Sequence, residues 1–138
     1  MHDLTAETEG LPGLPAWGVA KGVGSHLTFE FGPPKAQTGP KPHGAWHMWI
    51  CGVPWELTRA GECLRSADVV ADHPMLAALD GDTIRSLDLT EAEFRVDFAS
   101  GAVLACDLSD DPDEDIVIFR PKRPALIIGY RGKIEIET

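Results

Sequence analysis

The sequence predicts a mainly β fold, a β-rich α+β domain built as an antiparallel sandwich or open barrel of two linked β-meanders with one short helix. Three observations carry this. Several short runs alternate apolar and polar residues with a period of two, the mark of a half-buried strand. Glycine and proline punctuate these runs at short intervals. Only one segment carries helix start and stop signals. At 138 residues, 43% apolar and 25% charged, the chain has the size and composition of one globular domain.

Residues 1–16 are acidic and then rich in glycine and proline (Gly10, Pro12, Gly13, Pro15). They predict a flexible N-terminal arm ahead of a single β-rich domain over 17–138. A first strand fits 17–23. In 27–31, Leu27, Phe29 and Phe31 alternate with Thr28 and Glu30, and Gly32 ends the run. Residues 33–44, PPKAQTGPKPHG, hold four prolines and two lysines and predict a loop, because proline fixes φ and removes ladder donors. In 45–50, Trp46, Met48 and Ile50 share one face, and His47 and Trp49 the other. Cys51-Gly52 breaks this strand, and 53–58 forms another with Pro54 near its start. A short extended piece covers 62–64.

The helix opens at Asp72-His73-Pro74. Asp72 can cap free amides, Pro74 suits the first turn, and Gly81 can close the end. Met75, Leu76 and Leu79 fall at helical spacing. Strand character returns at 83–89, 94–98, 102–108 and 116–119, and 125–137 closes the chain as a hairpin around Arg131-Gly132. LTFEF at 27–31 is echoed by FRVDF at 94–98, an offset of 67 residues. Two meanders joined by the helix would give that echo, although any two amphipathic strands look alike.

The formal charge of −10 argues against nucleic acid as a partner. Residues 70–138 hold 15 acids against 7 bases, and residues 1–69 hold 7 against 5, so most of the negative charge lies in the second half. The start MHDLTAETEG has no basic or long apolar stretch, which predicts no signal peptide. No apolar run approaches a membrane span, which predicts no membrane association. The odd count of three cysteines (Cys51, Cys63, Cys106) fits reduced thiols and a cytoplasmic protein.

In DLSDDPDED, residues 107–115, six of nine positions are acidic. Asp110, Asp111, Asp113, Glu114 and Asp115 surround Pro112, so the run is a loop between strands. Like charges this close repel, and a positively charged partner would relieve the repulsion. A solvated connection that discourages edge pairing is the other reading. The run lacks the central glycine and distal glutamate of a calcium loop. Trp49, opposite the core face, is a large amphipathic anchor of the kind interfaces favour.

His43, His47 and Cys51 recur every four residues. On an extended strand four residues span about 13 Å, too far for one ion, so neither a metal site nor a cofactor is expected. Ser25-His26 is a sequential pair with no nucleophile elbow around it, and no phosphate loop occurs in GVAKGVGS (18–25). These absences predict no enzyme. RPKR at 120–123 reads as a loop paired with acids.

The order of these elements resembles a family of small acidic bacterial domains of unknown function, some of which act as immunity proteins beside polymorphic toxins. The resemblance rests on LTFEFG, on AWHMWICGVPWEL, on Ser66-Ala67-Asp68, on the short helix ending Leu79-Asp80-Gly81, and on the second alternating strand with Phe98 and Gly101. It covers residues 17–137, and the proline loop departs from it. It implies a binding role rather than catalysis; with the acidic charge and the cysteines, the expected function is a non-catalytic cytoplasmic immunity protein that neutralises a basic toxin domain. Asp110, Asp111, Asp113, Glu114 and Asp115 would then supply charge and Trp49 the anchor. The competing expectation is an assembly subunit, such as a homodimer paired through strand edges or the tryptophan face.

Overall fold

The computed structural model describes residues 3–22, 24–34, 43–69 and 73–137. It is an antiparallel β-sandwich. β1 (Ala16–Lys21), β2 (Leu27–Pro34) and β3 (Gly44–Cys51) form a meander. β4 (Trp55–Arg59) and β5 (Glu62–Arg65) form a hairpin, and a second meander of β6 (Ile84–Leu89), β7 (Glu93–Phe98) and β8 (Val103–Asp107) follows. β9 (Asp115–Arg120), β10 (Arg123–Ile128) and β11 (Ile134–Ile136) close the chain. One sheet has the order β1-β2-β3-β9-β10-β11 and the other β5-β4-β8-β7-β6. The strand at 53–58, which sequence order would leave beside its predecessor, instead crosses to the second sheet and pairs with β8.

Alternation decides the interior. Leu27, Phe29 and Phe31 of β2, Trp46, Met48 and Ile50 of β3, and Phe94, Val96 and Phe98 of β7 are all buried. Phe29 meets Phe98 across the sandwich with ring centroids 6.3 Å apart. Such interdigitation of two inner faces is the main apolar driving force of a sandwich.

The chain runs one path twice. A four-residue helix, a three-strand meander and a hairpin occur first as α1 (Leu4–Glu7) through β5, then as α2 (Pro74–Ala77) through β10. Exchanging β1–β5 for β6–β10 maps the five-strand order of each sheet onto the other. The helices are swapped, α1 packing on β6 and α2 on β1. The start of β1 is tied to the start of β6 by Ala16 N–H donating to Asp82 O at 2.8 Å and Gly13 N–H to Ile84 O at 2.9 Å. The echoed strings LTFEF and FRVDF fall in β2 and β7, which occupy equivalent positions.

The flexible arm expected over 1–16 gives way to a docked segment in residues 3–16. Leu11 and Ala16 are fully buried, and Leu4 and Thr8 nearly so. Asp3 caps α1, and the Thr8 hydroxyl donates to Leu4 O at 2.7 Å. Glu7 meets the Arg120 guanidinium at 2.7 Å. Arg120 shares the inward parity of Ile116 and Ile118, so its side chain is only 1% exposed. It also donates to Pro124 O at 2.8 Å and Glu7 O at 3.1 Å. Arg123 reaches the same Glu7 carboxylate from the surface.

The expected helix at 72–81 shortens to α2 followed by turns. His73 caps it, its Nδ1 accepting Met75 N–H at 3.1 Å, and Asp72 lies outside the described residues. So does most of the proline loop, residues 35–42, whose flanks belong to β2 and β3. Among the described residues no helix is long and apolar enough to cross a membrane.

Candidate functional site

The outer face of the six-stranded sheet departs from an ordinary solvated surface. The register sets its side chains in rows. Trp17 stands opposite Glu30, Glu30 opposite His47, and His47 opposite Phe119. The next row runs Thr28, Trp49, Val117, Ile127 and Glu135. Cys51 opposite Asp115 follows. Trp49 and Phe119 meet edge to face at 5.1 Å between centroids, and His47 lies 5.2 Å from Trp49 and 5.6 Å from Phe119. Trp49, 37% exposed, is the exposed large hydrophobic among the described residues. Trp17 is half-buried and donates its indole N–H to Gly32 O at 2.8 Å.

The repeated path supplies an internal comparison. At equivalent places on the five-stranded sheet the first row reads Ser86, Asp97, Val103 and Thr58. The second row reads Arg95, Ala105 and Glu56, where the first sheet has Thr28, Trp49 and Val117. Ser86 donates to Asp97 at 3.1 Å, and Arg95 pairs with Asp97 at 3.2 Å. The same fold therefore accepts a polar outer face. Folding alone does not require His47, Trp49 and Phe119 to cluster on the other.

One end of this face holds a buried carboxylate between two imidazoles. Glu30 is 5% exposed and His47 7%. Glu30 Oε1 accepts Gly44 N–H at 2.8 Å. Oε2 contacts His47 Nδ1 and lies 3.3 Å from His43 Nδ1. The His43 and His47 rings are 4.7 Å apart between centroids. The separation that an extended strand predicts for these two histidines is thus not observed. The pairing of β2 with β3 shifts by one residue between Phe31 and Pro34, and His43 stands just before β3, where the chain bends back over Glu30. Cys51 remains at the far end of β3, beside Asp115.

Gly44 makes the bend possible. A Cβ there would lie 2.5 Å from the Phe31 carbonyl oxygen. Gly44→Ala is expected to push β3 off β2, displace His43 and cost about 1–3 kcal/mol, the range for overpacking. Thermal unfolding of the variant reads this directly, and an unchanged midpoint would refute the close approach.

The acidic loop lies at the other end of the same face. Asp111 Oδ1 accepts Asp113 N–H at 2.8 Å, which fixes the turn. The Glu114 carboxyl packs where a Cβ on Gly52 would lie, 3.0 Å from its Cδ, and Gly52 also holds φ at +83°. Burial and then the Asp111 and Asp110 charges push the Glu114 pKa up. Burial and then Glu135 raise that of Asp115. Asp107 is held low, mainly by the Ser109 hydroxyl, which donates to it at 2.6 Å. Asp115 sits diagonally from Trp49, a spacing of roughly 7–8 Å between Cα atoms. The structure therefore brings Trp49 to the Asp115 end of the loop. Asp110 and Asp113 project further out as exposed side chains.

The other reactive groups have structural partners or altered acidity. The Ser25 hydroxyl bonds Ser66 Oγ at 3.2 Å, and Ser25 O accepts the Trp55 indole N–H at 2.9 Å. Burial and then Asp115 raise the Cys51 pKa, and burial then Glu93 raise that of the fully buried Cys106 strongly. All three cysteines are free thiols. The convergence of His43, His47 and Glu30 is the feature sequence spacing missed. Its sequence signals are a charged residue at an outward position in β2 and a glycine directly after His43.

Comparison with known proteins returns no matching family, no matching curated protein and no matching solved structure.

Proposed function

We propose that this chain is a non-catalytic cytoplasmic binding protein that docks a basic protein domain on the outer face of its six-stranded sheet, in the manner of an immunity protein that neutralises a toxin. The observation that carries the reading is the asymmetry of the two outer faces. One is polar; the other places an exposed tryptophan within an aromatic cluster, with an acidic loop at the end of the same face. Aromatic anchors flanked by complementary charge are the usual composition of a binding hot spot. The three free thiols suit a reducing compartment.

Self-assembly through sheet edges is the competing reading. Of the four edge strands, β11 has three residues and β5 four, which offer short ladders for pairing, while β1 and β6 have six each. The aromatic face is the larger asset.

The test is affinity capture from a lysate of the source organism with a graded salt wash. Wild-type chain is run beside a variant carrying Asp110→Asn, Asp111→Asn, Asp113→Asn, Glu114→Gln and Asp115→Asn. One stoichiometric partner with a basic domain, eluting as salt rises, is expected. The neutralised loop should slow its association at least about 10-fold at low salt, with the difference fading as salt screens it. The same variant should be slightly more stable alone at neutral pH. Glu114 and Asp115 have raised pKa values when folded, so their ionised forms oppose folding, and stability rises as pH falls or as they are neutralised. Capture of only a second copy of the chain, or equal association by both proteins, sinks the proposal.

A further inference from the structure

We propose that Glu30, His43 and His47 form a binding site for a zinc-class divalent cation. This rests on the geometry of the cluster and not on the docking reading above.

Three Lewis-basic atoms converge there. Glu30 Oε2 faces the Nδ1 atoms of both His43 and His47, and one donor atom from each of the three residues lies within 4.8 Å of the others. Zinc binds imidazole nitrogen and carboxylate oxygen at about 2.0–2.1 Å in a tetrahedron, which sets donor atoms about 3.3–3.4 Å apart. The His43 Nδ1 to Glu30 Oε2 separation of 3.3 Å is that edge length.

The surroundings support a site. Glu30 Oε1 is held by Gly44 N–H at 2.8 Å, which orients the carboxylate and leaves Oε2 aimed at both rings, the outer-sphere bond that metal-ligating carboxylates usually have. Trp49 and Phe119 pack on His47 and lower the local dielectric. The net charge of −10 raises the local concentration of cations. The repeat gives the contrast again. Asp97 occupies the place of Glu30, but Val103 and Thr58 stand where His47 and Phe119 do, so no imidazole faces it.

Two imidazoles with one carboxylate select zinc and the later first-row metals over calcium or magnesium, which prefer all-oxygen shells. His43 is 54% exposed at its side chain, whereas Glu30 and His47 are closed in. A bound ion would therefore meet solvent on the His43 side, and a water would fill the fourth position.

The experiment is calorimetric titration of zinc into the full chain, made without a histidine tag and dialysed against chelator. His43→Ala and the five-fold loop-neutralised variant are run beside it, with magnesium as the control cation. Because His43 is largely exposed, its replacement leaves the fold intact, and circular dichroism checks this. One zinc per chain is expected in the wild type and in the loop variant. His43→Ala should weaken affinity by more than the roughly 10–100-fold that outer-sphere changes cost, and magnesium should give no heat. No zinc binding by the wild type, or equal binding by His43→Ala, overturns the site and identifies the cluster as a hydrogen-bonded packing element. Loss of zinc only in the loop variant also overturns it, by moving the ion to the acidic loop. None of these outcomes depends on a protein partner, so the docking proposal stands or falls separately.

Discussion

Replacing Glu7 by alanine is expected to destabilise the protein by about 3–5 kcal/mol, the usual consequence of leaving a buried charge without its partner. Arg120 points into the end of the sandwich with its side chain 1% exposed, and Glu7 supplies both a carboxylate oxygen and a backbone carbonyl to it. Alanine keeps the backbone acceptor and removes the charge. The exposed Arg123 contact adds little, because a surface ion pair contributes at most about 1 kcal/mol. Since a domain of this size has a total stability of about 5–15 kcal/mol, the variant should melt at least about 10 °C lower. Denaturant unfolding of Glu7→Ala and Glu7→Gln gives the measurement. A glutamine that keeps a hydrogen bond to Arg120 should recover part of the loss. If both variants unfold like the wild type, the first helix is not fastened through Arg120.

Trp49→Ala is expected to weaken partner binding by about 2–4 kcal/mol, roughly 30- to 1,000-fold, as truncation of a central aromatic anchor does. Most of this should appear as faster dissociation. The fold should survive, because Trp49 lies on the outer face of the sheet, is 37% exposed and makes its ring contacts with Phe119 and His47 rather than with the core. Loop neutralisation acts chiefly on association, so the two variants separate anchor from steering. A Trp49→Ala protein with unchanged dissociation would exclude this face as the contact.

The sequence makes the strands legible because one side of each faces a core. Leu27, Phe29 and Phe31, and Trp46, Met48 and Ile50, declare their inner faces by alternation, and the same parity sends His47 and Trp49 outward. It also marks Arg120 as inward, since it follows Ile116 and Ile118 at steps of two, although a basic stretch reads first as surface. Which sheet a strand joins is not local information. The crossing of β4 to β8 and the return of β9 to β3 are settled by burying two apolar faces at once. The docking of residues 3–16 depends on Glu7 meeting a residue 113 positions away. Convergence of His43 and His47 requires a bulge in the neighbouring strand and a glycine close to its backbone, and strand spacing alone predicts the opposite.

The two outer faces of a repeated path differ: one is polar, and the other gathers His47, Trp49 and Phe119, the face on which the docking proposal rests. Hydroxyl-radical footprinting, read by mass spectrometry on the chain alone and bound to its captured partner, tests this most directly. Oxidation of Trp49 and Phe119 is expected to fall on binding, while the exposed Cys63 on β5 keeps its rate. Unchanged oxidation of Trp49 beside protection of β5 or β6 would contradict it.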